Sequence, residues 1–371
     1  MRKASAFLCL GLLLVAGTAS ATDTRVLTLG ETGNILMDES NVMMYPQTLA
    51  MWPNLGVINI MGGSISSAGN HMKYGGAVYG GYWTTEEWSD PYLHDFNGNG
   101  VNGIDQKITM LYARDLAGKP FGFSFSLYGN KDENKNNGNP TNSGLGIKIG
   151  AGMTFMETLE TSLQFGMLSW EAKNAAGDKV AENDGGTQIM LMARWWHEMS
   201  EGMTMIPHFT FDMNSGGSKP AAGGSTTDEM TTIDLGVGHQ FKIGEKAICI
   251  EDFGVKFVSG THDAAGVKTD MSTNLLPYFK GGMETPLTEH WIFRFGGVKE
   301  WTSNSTKTGN NEHNTSGAAT RMYLGAGYVR GPFSMDMNVE PALFTNGPYI
   351  ISGKGGAWAS QVSMSYTWDK K

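Results

Sequence analysis

The chain has 371 residues, with 27 Lys and Arg against 36 Asp and Glu for a net charge of −9, 51 glycines, 11% aromatic residues and only 17% charged ones. An acidic chain with no basic stripe argues against nucleic-acid binding. Its only cysteines, Cys9 and Cys249, cannot form a disulfide framework once the first is assigned to a leader.

The leader comes first. MRKASAFLCLGLLLVAGTASA has a basic start at Arg2 and Lys3, an apolar run from Ala6 to Val15, and the small residues Ala19, Ser20 and Ala21. That order reads as a secretory signal peptide over 1–21, cleaved after Ala21. The apolar run falls well short of the roughly 20 residues a spanning helix needs.

Residues 22–72 follow no regular alternation. They precede the first expected strand and either plug a lumen, lie beneath it or form a short helix; the apolar VINIMG starting at Val57 is placed with them. From about Lys73 the chain changes character. In FGFSFSLYG, Phe121, Phe123, Phe125 and Leu127 alternate with Gly122, Ser124, Ser126 and Tyr128. Period 2 is a strand signal, because successive side chains point to opposite faces. The same alternation recurs at 73–83, 106–116, 143–156, 158–171, 186–197, 202–213, 229–242, 246–260, 272–285, 289–302, 316–330, 332–344 and 356–368.

The connections alternate as well. Short ones such as LAGKP, METLE and KIGEK trade places with long polar ones such as GNKDENKNNGNPTNSG and TSNSTKTGNNEHNTSG. Short turns on one side and longer loops on the other are the pattern of a transmembrane antiparallel β-barrel, here of about fourteen strands over 73–371, in the outer membrane of a Gram-negative cell. The phenylalanines would then face lipid. Trp83, Tyr112, Trp170, Trp195, Trp291, Tyr328 and Trp368 fall near strand ends, where amphipathic rings suit the headgroup boundary.

By parity the opposite face carries Lys148, Gln164, Arg194, His208, Asp212, Asp234, Lys280, Arg294, Asp336 and Glu340. Charges of both signs inside a filled lumen need partners, so these residues are expected to form ion pairs that brace the barrel or hold the plug; a charged constriction selecting polar solutes is the sharper alternative. Met190, Met192, Trp196 and Ile206 are apolar candidates on the same face, and Met43, Met44, Leu49, Met51 and Trp52 in the N-terminal segment, where thioethers suit an adaptable apolar site.

DFNGNGVNGID places Asp95, Asn97 and Asn99 at spacing two before Gly100, as at the start of a calcium loop. Gln106 stands at the position of the closing acidic ligand, so only Asp105 with a shortened loop could complete it; a Gly/Asn loop tip is the simpler account. No other cofactor is expected. None of the eight histidines has metal-ligand spacing, and no G-x-S-x-G motif occurs, so no catalysis is expected.

RVLTLGETGNILMDESNVMMYPQTLA resembles the opening of the outer-membrane long-chain fatty-acid and hydrocarbon transporter family, which has Arg-x-Leu-x-x-Gly, an acidic-small cluster, then Asn-Pro-Ala-x-Leu-Ala. Gly30, Asp38, Glu39, Ser40, Pro46, Leu49 and Ala50 fall on matching positions, while Tyr45 and Gln47 depart from it. The resemblance covers under a tenth of the chain. It implies a fourteen-stranded barrel plugged by its N-terminal segment, with those residues in the plug, through which hydrophobic small molecules diffuse. The expected function is therefore passive uptake of such molecules, with the outer-membrane lipid as the other partner. A surface protein whose barrel anchors adhesive or structural loops, or a general porin, is the alternative; oligomeric state is left open.

Overall fold

A computed structural model describes residues 23–61, 64–84, 106–133, 141–220, 224–244, 246–264, 266–339 and 359–368. A six-residue helix, α1 (Asp23–Thr28), and three 3-10 turns (Gly33–Ile35, Glu39–Met43, Pro46–Met51) precede the strands. The strands are β1 (Leu55–Met61), β2 (Ser64–Tyr74), β3 (Ala77–Thr84), β4 (Gln106–Leu116), β5 (Lys119–Glu133), β6 (Thr141–Phe155), β7 (Leu159–Lys173), β8 (Lys179–Trp195), β9 (His197–Ser200), β10 (Met203–Pro220), β11 (Thr226–Ile243), β12 (Ala247–Ala264), β13 (Val267–Pro286), β14 (Trp291–Thr308), β15 (Asn311–Arg330), β16 (Phe333–Val339) and β17 (Ala359–Thr367).

Each strand pairs antiparallel with its chain neighbours, and β1 pairs antiparallel with β17 from Leu55↔Thr367 to Met61↔Gln361, closing the sheet into a barrel. β9 continues the path of β8 past Trp196 and shares its partner β10, so the two occupy one position. The barrel has sixteen positions, not fourteen. The two additional strands are β1 and β2. VINIMG belongs to the wall, and β2 went unread because its outward residues Ala68, Asn70 and Met72 make no continuous apolar stripe.

The faces of β5 are as the alternation implies. Phe123 and Leu127 are exposed on the outside, while Gly122, Ser124, Ser126 and Tyr128 are buried. The same division holds around the ring: Ile108, Met110, Ile147, Leu163, Phe165, Leu235, Phe253 and Phe295 are exposed, and Thr109, Ser162, Gln164, Gln188, Asn214, Ser334 and Ser363 are buried. A closed barrel with an apolar outside and a polar inside satisfies its backbone internally and presents hydrocarbon to lipid. Phe123→Arg is accordingly expected to destabilise the refolded protein in lipid vesicles by about 2–4 kcal/mol in urea titration, the range for a cation near the bilayer midplane.

At one rim Trp195 and Trp291 are exposed, and the rings of Trp291 and Tyr328 lie 5.0 Å apart. Trp170 departs from the sequence reading. It is buried, on the inward parity of β7 with Gln164 and Leu168, and packs with Leu168 and Tyr128 inside the barrel.

Several of the long polar connections are largely strand: β7 and β8 pair out to Lys173↔Lys179, and β10 and β11 out to Ser218↔Thr226. β12 runs through SGTHDA to Ala264 and meets β13 across residues 265–266; β14 and β15 likewise meet across Gly309 and Asn310. With 18–20 residues each, these four strands exceed the roughly 9–11 that a tilted strand needs to cross a bilayer. Their outer halves carry no lipid-facing stripe, so hydrophobic alternation could not reveal them.

Candidate functional site

The chemistry of the molecule is concentrated where residues 23–52 meet the inward face of the barrel. Helix α1 touches β14, β15, β16 and β17, the turn Gly33–Ile35 touches β10 and β11, and the turn Pro46–Met51 touches β3, β4, β5 and β6. The segment thus reaches three separate arcs of the wall.

It comes close because the wall is glycine there. A Cβ on Gly282 would lie 2.8 Å from the Cα and O of Leu29, one on Gly296 2.5 Å from Thr28 O, and one on Gly325 2.5 Å from Thr28 Cγ2. Gly122 faces Pro46 and Gln47, Gly152 faces Gln47, and Gly238 faces Ile35 even more tightly. On the segment's side Gly30 has φ +82° and sits against the carbonyl oxygens of Gly281 and Gly297, where a side chain would be both strained and obstructed.

Polar contacts fix the same arcs. Arg25, on α1, donates to Glu284 at 2.8 Å and to Asp38 at 3.3 Å. Arg294 donates to Glu284 at 2.6 Å and to Asp336 at 2.5 Å. Two guanidiniums therefore share one carboxylate, and the chain Asp38–Arg25–Glu284–Arg294–Asp336 ties the segment to β13, β14 and β16. Across the barrel, Arg194 pairs with Glu160 at 2.5 Å, donates to the carbonyl oxygens of Asn34 and Leu36 at 3.1 and 3.0 Å, and stacks over the Tyr45 ring at 4.2 Å. Gln164 donates to the carbonyl oxygens of Met43 and Met44, Gln240 to that of Ile35 and Gln47 to that of Thr161. Thr24 and Ser363 share a hydroxyl bond of 2.6 Å. At the exposed side of the segment, Glu31 accepts from Arg321 and Tyr323; although burial works to raise its carboxyl, these bonds hold it below the usual range.

Of the lumen residues expected from parity, Arg194, His208, Asp212, Arg294 and Asp336 are buried inside. His208 bonds Asp252 at 2.8 Å, and Asp212 accepts from Gln188 at 3.1 Å. Asp234 and Lys280 are half-buried; Asp234 accepts from the Tyr278 hydroxyl at 2.8 Å, and Lys280 approaches Glu31 O at 3.5 Å. Lys148 is half-buried, opposite Ser126 and Gly166. Glu340 lies outside the described residues, as do Asp95, Asn97, Asn99 and Asp105 of the calcium reading. Among the described residues no cluster of His, Cys, Asp and Glu is arranged to hold a metal ion.

In the segment, Asp38 caps the turn it begins by accepting from the backbone and hydroxyl of Ser40. Pro46 opens the last turn, and Leu49 is fully buried with Val42, Val78, Tyr82, Leu111 and Ala113, flanked by Met43 and Trp52. This apolar cluster stands out in a polar interior. A second one joins Leu29, Ile35, Leu36, Ile206 and Ile250, with Trp196 against it. Met192 is buried, whereas Met51 is exposed. Behind the first cluster, the outer face of the wall carries a concavity of about 760 Å³ lined by Gly56, Ile58, Gly69, Gly81, Tyr82, Trp83 and Phe333. Tyr82 lines the concavity and belongs to the inner cluster, with its ring over Gly69 and its hydroxyl bonded to His71 at 2.7 Å.

Sequence reasoning missed Arg25, Glu160 and Glu284. Arg25 lies in the quoted motif without an assigned role, and Glu160 reads as part of the turn METLE. Glu284, near the end of its expected strand, shares the inward parity of Lys280 and could have been read from it.

No protein-family model matches the chain. No curated sequence matches it either. Solved structures align with it at low likeness. A Pseudomonas aeruginosa FadL homologue aligns with TM-score 0.44 and 10% identity over 94% of this chain and 98% of that one. The Pseudomonas putida toluene transporter TodX aligns with TM-score 0.35 and 8% identity over 93% and 96%. The ferric-catecholate import receptor Fiu from E. coli K12 aligns with TM-score 0.43 and 8% identity over 77% of this chain and 54% of that receptor, so the chain spans about half of its length. The barrel is established by its own strand pairing, and what the protein does rests on its own interior.

Proposed function

We propose that the protein is an outer-membrane barrel for passive uptake of hydrophobic small molecules, with residues 23–52 acting as a plug. The observation that carries this reading is the apolar cluster of Val42, Leu49, Val78, Tyr82 and Leu111, held between the segment and the wall, with Tyr82 also lining the outer concavity. Burial of apolar surface is the term that would retain a hydrocarbon there, at roughly 25 cal/mol per Å². A lateral route towards the bilayer past Gly69 and Gly81 requires the β2–β3 ladder, paired from Ser67↔Thr84 to Tyr74↔Ala77, to part and the Tyr82 ring to move off Gly69.

A general porin would need an open lumen, and the contacts of the segment with three arcs of the wall oppose it. The projecting hairpins β12–β13 and β14–β15 favour a second role, contact at the cell surface, with the barrel as anchor.

The first experiment is conductance of the refolded chain 22–371 in a planar bilayer. The expected result is silence; steady, large single-channel steps would mean a water-filled pore and would sink the plugged reading. Toluene is then expected to quench the fluorescence of the refolded protein saturably, with Trp52→Phe removing most of the saturable part. Quenching identical in the variant would place the ligand elsewhere.

A further inference from the structure

The concavity on the outer face lies in the wall that meets hydrocarbon, and the strand register shows how it is made. Across β16, β17, β1, β2, β3 and β4, one outward row reads Phe333, Tyr366, Gly56, Asn70, Gly81 and Met110. The next outward row brings Ile58, Ala68, Trp83 and Ile108 across β1 to β4. Gly56 and Gly81 thus make a low floor, with Phe333 and Tyr366 standing on one side of it and Trp83 and Ile108 on the other. Asn70 stands out among the apolar and aromatic residues that line this floor. It is exposed, and its carboxamide has no hydrogen-bond partner among the described residues. The carboxamide oxygen lies 3.6 Å from where a Cβ on Gly81 would stand, so the amide leans across the floor.

The depth of Asn70 follows from its neighbours. The adjoining outward row, two residues nearer the turn at Gly75 and Gly76, carries Met72, Tyr79 and Tyr112, with the two phenol rings 5.4 Å apart. Tyrosines placed so mark the headgroup level. Two residues of strand are about 7 Å, or about 5 Å along the membrane normal at a tilt near 45°. The interfacial zone on each side of a bilayer is about 6 Å thick. Asn70 therefore stands where glycerol ester carbonyls give way to acyl chains. An amide unpaired at that depth is costly, because bulk water is not there to serve it. Its nitrogen brings two donors, and an ester carbonyl is an acceptor only.

We propose that the concavity is a binding site for one glycerophospholipid of the leaflet on the short-turn side. An ester carbonyl of the lipid accepts from Asn70 Nδ2, and the acyl chain that follows it lies on the glycine floor between Tyr366 and Trp83. The occupant follows from continuity with the lipid-facing belt. The concavity opens in the same outer wall on which Met110 and Phe123 are exposed, so acyl chains enter it without crossing water. A second copy of the chain would first have to displace them. The assignment rests on the closed barrel and its lipid-facing wall and is independent of the plug reading. It gives this arc of the wall one fixed lipid in place of an exchanging annulus.

The test uses protein purified from membranes and reconstituted in vesicles of diether phosphatidylcholine, which has no ester carbonyl. Heat-modifiable migration first shows that the barrel is closed in every variant used. The vesicles then receive increasing fractions of a chain-brominated phosphatidylcholine, either the diester or the diether. Fluorescence lost to bromine is compared between wild type and Trp83→Phe, and the difference reports Trp83. Half-maximal quenching of Trp83 is expected at a mole fraction about threefold lower for the diester, the effect of one neutral hydrogen bond. Asn70→Leu should remove that preference, and so should Gly81→Leu, which fills the floor. Equal quenching by the two lipids in wild type, or a preference that survives both substitutions, would overturn the assignment. Trp83 shielded from both lipids would mean that a second copy covers the concavity, and would overturn it equally. In each of these outcomes the silent bilayer expected of the plugged barrel is unaffected, so the two readings fail separately.

Discussion

Replacing Arg194 by Ala is expected to release the central part of the N-terminal segment while leaving the barrel closed. Arg194 is fully buried and makes three kinds of contact at once: an ion pair with Glu160, two bonds to the carbonyl oxygens of Asn34 and Leu36, and stacking on Tyr45 and Trp196. Its removal leaves the Glu160 carboxylate buried with, among the described residues, only the Trp196 indole donating to it, at 3.0 Å. Breaking a buried pair by removing one partner costs about 3–5 kcal/mol. The strands do not depend on this contact, because β7, β8 and β10 are held by their own ladders on both sides of Arg194. The outcome should therefore be local: proteolysis of the segment in folded protein, flickering conductance in a bilayer, and unchanged heat-modifiable migration. Glu160→Gln in the same background should recover part of the loss, since it removes the stranded charge. A variant as silent and as protease-resistant as wild type would show that Arg194 is not what holds the segment.

The second large effect comes from the wall. Gly122→Val and Gly296→Val place carbon where the segment's backbone now lies: the first meets Pro46 and Gln47, the second Thr28, Leu29 and Gly30. These contacts are with main chain, which has no rotamer to yield, so the segment must move away. Overpacking of a fitted interior usually costs about 1–3 kcal/mol per site, and the two sites act on opposite ends of the segment, so their effects should be close to additive. The double variant is expected to conduct steadily, as a barrel without its plug would. Gly129→Val is the control, because a Cβ there meets nothing within 4 Å. Persistent silence in the double variant would mean that something other than residues 23–52 closes the lumen.

What was legible in the sequence follows from where lipid acts on it. Phe123, Leu163 and Phe295 alternate with small or polar residues because one side meets hydrocarbon and the other a wet, crowded interior, and that constraint wrote the strands plainly. β2 escaped because Ala68 and Asn70 break its apolar stripe, and the outer halves of β12–β15 escaped because no hydrocarbon touches them. Within the site, Arg194, Arg294 and Asp336 were recoverable from parity alone. Their partners Arg25, Glu160 and Glu284 went unread. Arg25 lies in a segment without alternation, and Glu160 and Glu284 stand beside turns at strand ends, although Glu284 shares the parity of Lys280.

The closure of β1 on β17 also orders events in time. Thr24 finds its hydroxyl partner on Ser363, 339 residues later, and α1 packs against β14, β15, β16 and β17. Most of the seat for the first segment of the folded chain is thus made by the last strands to be synthesised. Contacts of such sequence separation are slow to form, since the intervening chain must be organised before they reward it. The contacts of residues 23–28 with β16 and β17 are therefore complete only when the final hairpin has joined the ring.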